Sequence, residues 1–291
     1  MVSIKSLLLS LNLISETEVD VFALKTRDRD NLTVFRDRKT KVIFIDNFLP
    51  SDETYKSGDY RNELQTLYGT RDFEIIEDTK RRLKLYKQFY TGKKIVDFGC
   101  GEGAFLRQAH SKCLEVVGVE VEKSCVKSLI DGGINCLESL KALEDNSYDT
   151  IFCFHTFEHL YDPLSILQQF KKKLLPGGTL VIEVPHANDF LLNHLESEAF
   201  KDFTLWSQHL ILHTRASLAG FLRATGFSTF KIQGVQRYNL ANHLNWLANG
   251  TSGGHKGPLS LIETNELRSA YENSLRMLDA TDTIVAVATN I

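Results

Sequence analysis

Beyond residue 92 the chain alternates short apolar runs with amphipathic stretches. "KKIVDFG", "LEVVGVEV", "INCLES", "SYDTIFCFH", "TLVIEVP", "STFKIQGV" and "TDTIVAVAT" have the length and composition of strands. Between them "EGAFLRQAHS", "KSCVKSLIDGG" and "PLSILQQFKKKLLPGG" read as helices. The second is closed by Gly132-Gly133; the third is opened by Pro163 and ended by Pro-Gly-Gly. "TRASLAGFLRATGF" offers Thr214 as an N-cap and Gly226 as a terminator. "SLIETNELRSAYENSLRMLD" predicts one long amphipathic helix. Strands alternating with helices cover both faces of a parallel sheet. The expected class is therefore α/β, a doubly wound and mostly parallel seven-stranded sheet.

Residues 1–90 are patterned differently and are expected to form an N-terminal α+β extension, or cap, ahead of a main domain over 91–291. "KVIFIDNF" alternates apolar and polar positions and predicts a strand, with "LTVFRD" able to pair with it across a short turn. In "DTKRRLKLYKQFY" Leu83, Tyr86 and Phe89 share a helical face. The opening "MVSIKSLLLSLNLISETEVD" is expected to be an edge helix or strand and not a leader. Its apolar run is broken by Ser10 and Asn12, and no small-residue cleavage site follows. Two insertions, 185–213 and 235–257, follow the C-terminal ends of strands. Open α/β sheets hold ligands at that edge, so both insertions are expected to act as lids.

The charge balance narrows the partners. Lys and Arg number 34 against 37 Asp and Glu, a net −3, which gives no field to draw nucleic acid or an anionic membrane. No segment reaches the ~18 apolar residues of a membrane helix. Cys100, Cys113, Cys125, Cys136 and Cys153 are odd in number and lack C-x-x-C spacing. That argues against a disulfide framework or a cysteine zinc site, and for buried thiols in a reduced, cytoplasmic setting.

Chemistry enters with "IVDFGCGEGAFL", which sets Gly99, Gly101 and Gly103 between a strand and a helix. Glycine lets the backbone turn sharply and lets a ligand approach it; the helix start supplies free N–H groups. The spacing is not the G-x-G-x-x-G of dinucleotide sites. Asp97 and Glu102 beside the loop would repel a pyrophosphate and suit a ligand with a cationic portion. Glu120 ends the next strand, where an acid can accept hydrogen bonds from ribose hydroxyls.

Taken with "VVGVEVE", "SYDTIFCFHTFEHLYDP", "LLPGGTLVIEVP" and "TRASLAGFLRATGF", in that order over about 93–235, the chain resembles the class I S-adenosylmethionine-dependent methyltransferases. The resemblance implies a Rossmann-like methyltransferase fold and S-adenosyl-L-methionine as cofactor. It implies that Gly99, Cys100, Gly101 and Gly103 wrap the methionine and ribose portions and that Glu120 binds the ribose. Val121 would then pack on adenine, Asp97 hold the methionine end and His155 lie near the cofactor. Tyr60 and Arg61, with Tyr55, are candidates to close over it, the arginine pairing with its carboxylate. The stretch "RYNLANHLNWLANGTSGGHK" and the final strand resemble bacterial methyltransferases that modify surface polysaccharides or other small molecules. The lead-in resembles the N-terminal domain of sugar C-methyltransferases but lacks its cysteine zinc ligands, so no zinc is expected there.

Methyl transfer to an alcohol needs alignment and a base, and His155, His159 and His209 are the candidates. "HTFEH", residues 155–159, matches the H-x-x-E-H of inverted zinc peptidases. A peptidase needs that motif on a helix, whereas here a strand runs into His155 and Pro163 opens the next helix. Two readings stay open. In the expected, metal-free one a histidine is the general base, and His159 caps or braces the following helix. In the alternative, His155, Glu158, His159 and His209 hold a metal. That set is similar to the E-x-x-E-H of small-RNA 2′-O- and quinone O-methyltransferases, with His155 in place of the first glutamate, and suits Zn²⁺, Mn²⁺ or Fe²⁺ better than Mg²⁺. Glu158, His186, Trp206, Tyr238, Asn242 and His255 are the candidate substrate contacts. Apolar walls with few polar groups suit a small-molecule or carbohydrate acceptor. A module that binds cofactor without turnover is the third possibility.

Overall fold

The computed structural model describes residues 3–49 and 72–291. Its N-terminal part is a short helix, α1 (Ile4–Ser10), capped by the Ser3 hydroxyl, followed by β1 (Val19–Ala23), β2 (Val34–Asp37) and β3 (Ile43–Ile45). The three strands pair antiparallel in sequence order. Ile4 and Leu8 of α1 are buried in the core beneath the main sheet, so this extension shares hydrophobic packing with the rest of the molecule. Next come α2 (Asp72–Leu85) and α3 (Lys87–Tyr90), which place Leu83, Tyr86 and Phe89 against one core as their spacing predicts.

The main domain then alternates β4 (Lys94–Phe98), α4 (Ala104–Ala109), β5 (Glu115–Val119), α5 (Lys123–Asp131), β6 (Asn135–Leu137), β7 (Tyr148–Phe154), α6 (Pro163–Lys173) and β8 (Leu174–Pro185). It continues with α7 (Glu198–Thr204), β9 (Ile211–Leu212), α8 (Arg215–Ala224), β10 (Thr229–Val235), α9 (Leu240–Asn249), α10 (Asn265–Met277) and β11 (Thr283–Thr289). Seven strands form one sheet in the order β10-β11-β8-β7-β4-β5-β6. β4, β5, β6, β7 and β8 are parallel, and β11 runs antiparallel between β8 and β10. The inner strands are apolar on both faces because both are covered. Val96, Ile151 and Leu180 face one core; Ile95, Phe152 and Val181 face the other. The mostly parallel, seven-stranded expectation holds. Thr214 caps α8 in a reciprocal bond with Ser217, and Gly226 takes a left-handed φ after it.

Three expectations need correction. The insertion 185–213 is not a free lid: its β9 pairs with β3 and becomes the fourth strand of the N-terminal sheet. Ile43, Phe44, Ile211 and Leu212 bury their side chains there, which a solvent-facing lid could not do. The long helix expected from Ser260 starts only at Asn265, after a 3-10 turn over Pro258–Ile262, because Thr264 caps it by accepting from the Leu267 N–H. Helix α6 ends at Lys173, short of the Pro-Gly-Gly, and the chain is already extended from Leu174. The Asn290 side chain donates to the carbonyls of Lys171, Leu174 and Leu175 and satisfies that frayed end.

Candidate active site

The ends of β4, β5 and β7 converge at the C-terminal edge of the sheet. Gly99, Gly101 and Gly103 all have positive φ, a conformation costly to other residues. A Cβ on Gly99 would lie 2.2 Å from the Thr156 hydroxyl, so the loop runs tight against the segment after β7. Glu120 closes the loop from below. One carboxylate oxygen accepts from the Gly101 N–H at 2.7 Å; the other accepts from the N–H groups of Val121 and Glu122 at 2.7 and 3.0 Å. Val121 beside it is exposed, free to present an apolar face to a planar ring.

Asp97 is buried at the end of β4 with its Oδ1 lacking a hydrogen-bond partner. Burial pushes its carboxyl up to about 7; Arg82 opposes the shift, and the carboxylates of Glu120 and Glu183 add to it. A cationic ligand group is what such an oxygen lacks. The glycine cradle, the ribose-side acid and this orphaned oxygen together fit S-adenosylmethionine.

A second cluster stands beside Asp97 and was not foreseen. Glu183, on β8, is fully buried. It accepts from Arg81 at 2.8 and 2.9 Å, from Arg82 at 2.6 and 3.0 Å, and from the Tyr86 hydroxyl at 3.2 Å. Burial would raise its carboxyl, but Arg82, Arg81 and His155 outweigh that and hold it well below the usual range. One turn earlier Asp78 accepts from Arg81 and from Arg237. These pairs strap α2 across the sheet edge. The signal for them was a lone acid inside the apolar run "TLVIEVP", since a buried charge demands partners.

The motif 155–159 forms a turn after β7, with a 3-10 helix over Phe157–His159, so the peptidase arrangement is absent. His155 sits at φ 49° and aims its ring between two carboxylates, with Nδ1 3.5 Å from Glu158 and Nε2 3.4 Å from Glu183. Glu158 is almost wholly buried. Burial works to raise its carboxyl, but His155, His159 and His209 together hold it at about 2. His159 does not cap the following helix; Asp162 caps it by accepting from the Ser165 N–H. Instead His159 Nδ1 meets the Gln208 carbonyl at 2.8 Å, and His209 Nδ1 meets the Thr204 carbonyl at 3.3 Å. Carbonyls only accept, so both rings carry their proton on Nδ1 and offer a lone pair at Nε2. One ligand atom each from Glu158, His159 and His209 lies within 4.8 Å of the others. His155 is not part of that trio. Burial and His159 keep the imidazole of His209 down to about 3, against the pull of Glu158.

The other expected substrate residues are dispersed. Trp206 joins the histidines, its ring edge-on to His159 and His209 at 5.6 and 5.3 Å. Tyr238, Asn242 and His255 form a separate group over the start of α2. His255 bridges Asn242 and Glu74 at 3.0 and 3.2 Å, and Tyr238 stacks edge-on with it. His186 faces no opening: its side chain is fully buried and its Nδ1 meets the Thr281 carbonyl at 3.0 Å. That contact ties the insertion to the segment just before β11, and His186 is corrected from substrate contact to packing. Tyr55, Tyr60 and Arg61 lie outside the described residues. Cys125, Cys136 and Cys153 are buried, Cys100 and Cys113 half-buried, and none of the five is in a disulfide. No helix among the described residues is long and apolar enough to cross a membrane.

A parallel sheet with a final antiparallel strand, a glycine cradle and an acid at the next strand end define a Rossmann-like enzyme built around a nucleoside cofactor. The family model described as a methyltransferase domain matches residues 68–231, over half the chain. The protein belongs to this family, the class I S-adenosylmethionine-dependent methyltransferases, and S-adenosylmethionine is its cofactor. Among relatives, the ubiquinone biosynthesis O-methyltransferase of Ralstonia nicotianae is 26% identical over 162 residues, 51% of this chain and 68% of its own. That of Leptothrix cholodnii is 26% identical over 219 residues, 69% of this chain and 90% of its own. A methyltransferase structure from Archaeoglobus fulgidus superposes with a TM-score of 0.55 at 21% identity, covering 79% of this chain and 99% of its own. The plantazolicin methyltransferase BamL, in complex with a triazolic desmethylPZN analog and SAH, gives 0.53 at 16% identity over 82% and 94%. At these identities the structures bear on the fold alone.

Proposed function

We propose that the protein methylates a hydroxyl oxygen of a small-molecule acceptor, with His155 receiving the proton. The observation that carries this is the placement of the His155 ring between two buried carboxylates beside the cofactor cradle. The names of the O-methyltransferase relatives support oxygen as the acceptor atom. S-adenosylmethionine supplies an electrophilic sulfonium methyl when bound. In this reading Glu120 would hold the ribose, Asp97 the cationic methionine end, and the glycine loop would wrap the portions between them. Transfer then depends on alignment and exclusion of water. His155 takes the hydroxyl proton on a ring nitrogen, and Glu158 and Glu183 stabilise the imidazolium that forms. Arg81 and Arg82 hold the Glu183 carboxylate in place through α2.

One observation favours a second reading in which a divalent cation assists. The Glu158 carboxylate and the Nε2 lone pairs of His159 and His209 are all acceptors, and Glu158 Oε2 has no hydrogen-bond partner. Two imidazoles tied by Nδ1 to backbone carbonyls have the outer-shell support of metal-binding histidines, and two nitrogens with one carboxylate suit a borderline transition metal. A cation there would lower the pKa of an acceptor hydroxyl, leaving His155 as the base.

Incubation with ¹³C-methyl S-adenosylmethionine and a panel of phenolic and glycosidic alcohols, read by ¹³C NMR, should return methoxy carbons. Label on nitrogen or carbon would overturn the hydroxyl assignment. Metal content of native protein and of His159→Ala decides between the two forms: a stoichiometric metal lost in the variant supports the second.

A further inference from the structure

We propose that the cavity enclosed by the β1–β2 loop, α7 and the C-terminal end of α9 is a glycan subsite, holding a neutral sugar unit of the acceptor that does not itself react. The proposal rests on the hydroxyl-acceptor reading above and names the class of molecule that carries the hydroxyl.

The cavity has a volume of about 390 Å³, within the ~300–1,000 Å³ of small-molecule sites. Its floor is aromatic: the rings of Phe203 and Trp246 lie 5.1 Å apart. Its polar walls are Lys25, Arg27, Asp30 and Asp202, with Thr251 and Ser252 at the mouth. Two cations and two anions leave the walls with no net charge, and Lys25 already pairs with Asp202 at 3.6 Å. An anion gains little from such a wall over water, and a purely apolar tail would strip water from four charged groups without replacing their hydrogen bonds. A sugar ring satisfies both parts. Its hydroxyls donate to carboxylates and accept from guanidinium and ammonium groups, while its C–H face covers the aromatic floor.

The walls are preformed. Asp28 in the β1–β2 loop accepts from the Ser207 N–H and hydroxyl, and the Arg27 N–H donates to the Leu205 carbonyl at 2.8 Å. The position is suitable too. The Arg27 guanidinium lies 4.5 Å over the Trp206 ring, which also meets His159 and His209 edge-on. One indole therefore separates the cavity from the candidate active site, a spacing that suits a sugar next to the reacting one. Residues 25–30 and 246–252 fall outside the family match at 68–231, while Ala199, Asp202 and Phe203 lie within it, so additions to the shared catalytic domain complete a cavity that one of its own helices begins. Selectivity among members of one fold resides in such additions.

The test is a printed array of neutral and acidic oligosaccharides, probed with the full chain saturated with S-adenosylhomocysteine. Neutral glycans should be retained, with retention at least tenfold weaker in Asp202→Asn and in Arg27→Ala at unchanged S-adenosylhomocysteine affinity. Asp202 is exposed, so its variant tests the site without threatening the fold. Failure to retain any neutral glycan, preference for acidic ones, or equal retention by both variants would overturn the proposal. Glycan binding without methylation of the bound glycan would uphold the subsite and defeat the hydroxyl-acceptor reading. Methylation of simple phenols with no glycan bound would do the reverse.

Discussion

His155 is tied to Glu183 twice. Its backbone N–H donates to the Glu183 carbonyl at 2.8 Å, and its Nε2 stands 3.4 Å from the Glu183 carboxylate. The first contact belongs to the parallel pairing of β7 with β8. The second puts the candidate base against a carboxylate that also anchors Arg81 and Arg82 of α2. Three elements thus meet at one buried charge, and the consequences can be measured.

Glu183→Gln removes the buried charge, leaves the half-buried Arg82 without its carboxylate and leaves Arg81 with Asp78 alone. Breaking a buried ion pair costs about 3–5 kcal/mol, so the urea midpoint should fall steeply. The carboxyl is held well below its ordinary 4.5 in the native state. Its stabilisation is therefore complete above the unfolded-state value and is lost as pH falls through the native one. The Gln variant should show a shallower loss of stability at acid pH than the native protein.

Asp97 behaves in the opposite sense. Its native value is pushed up from 3.8 to about 7, so in the free protein it opposes folding increasingly as pH rises across that window. A cationic ligand group selects the ionised form. The affinity for S-adenosylmethionine should rise with pH, by at most about tenfold per unit, and level off above about 7. Calorimetric titration at a series of pH values should find this slope flattened in Asp97→Asn, which should also bind more weakly at high pH.

Gly99→Ala forces a left-handed alanine and drives its Cβ into the Thr156 side chain. The conformation alone costs about 1–2 kcal/mol. Thermal unfolding should show the loss, and adding Thr156→Ala should recover part of it. A full loss unchanged by the second substitution would mean the strain is backbone only.

Much of this arrangement is legible in the residues themselves, for a physical reason. Gly99, Gly101, Gly103 and Thr214 act within a few residues of their own positions, through a positive φ or a cap, and Glu120 is marked by its place at a strand end. Local chemistry of that kind leaves a local pattern. The partners of Glu183 are about a hundred residues away on α2, and His159 is held by a carbonyl at Gln208 in an insertion. No spacing encodes those contacts. The pairing of β9 with β3 escaped for the same reason: two apolar residues in a long insertion are too few to show a strand period. His186 misled because histidine in a loop suggests chemistry, whereas here its backbone bonds and burial make it packing.

The most direct test of the account is the effect of His155→Ala on single-turnover methyl transfer to a hydroxyl acceptor identified by the labelled-methyl screen. Removing a general base should slow transfer by roughly 10²–10⁴-fold, while S-adenosylhomocysteine affinity changes little. Transfer at the native rate in the variant would contradict the assignment of His155 as the group that takes the proton.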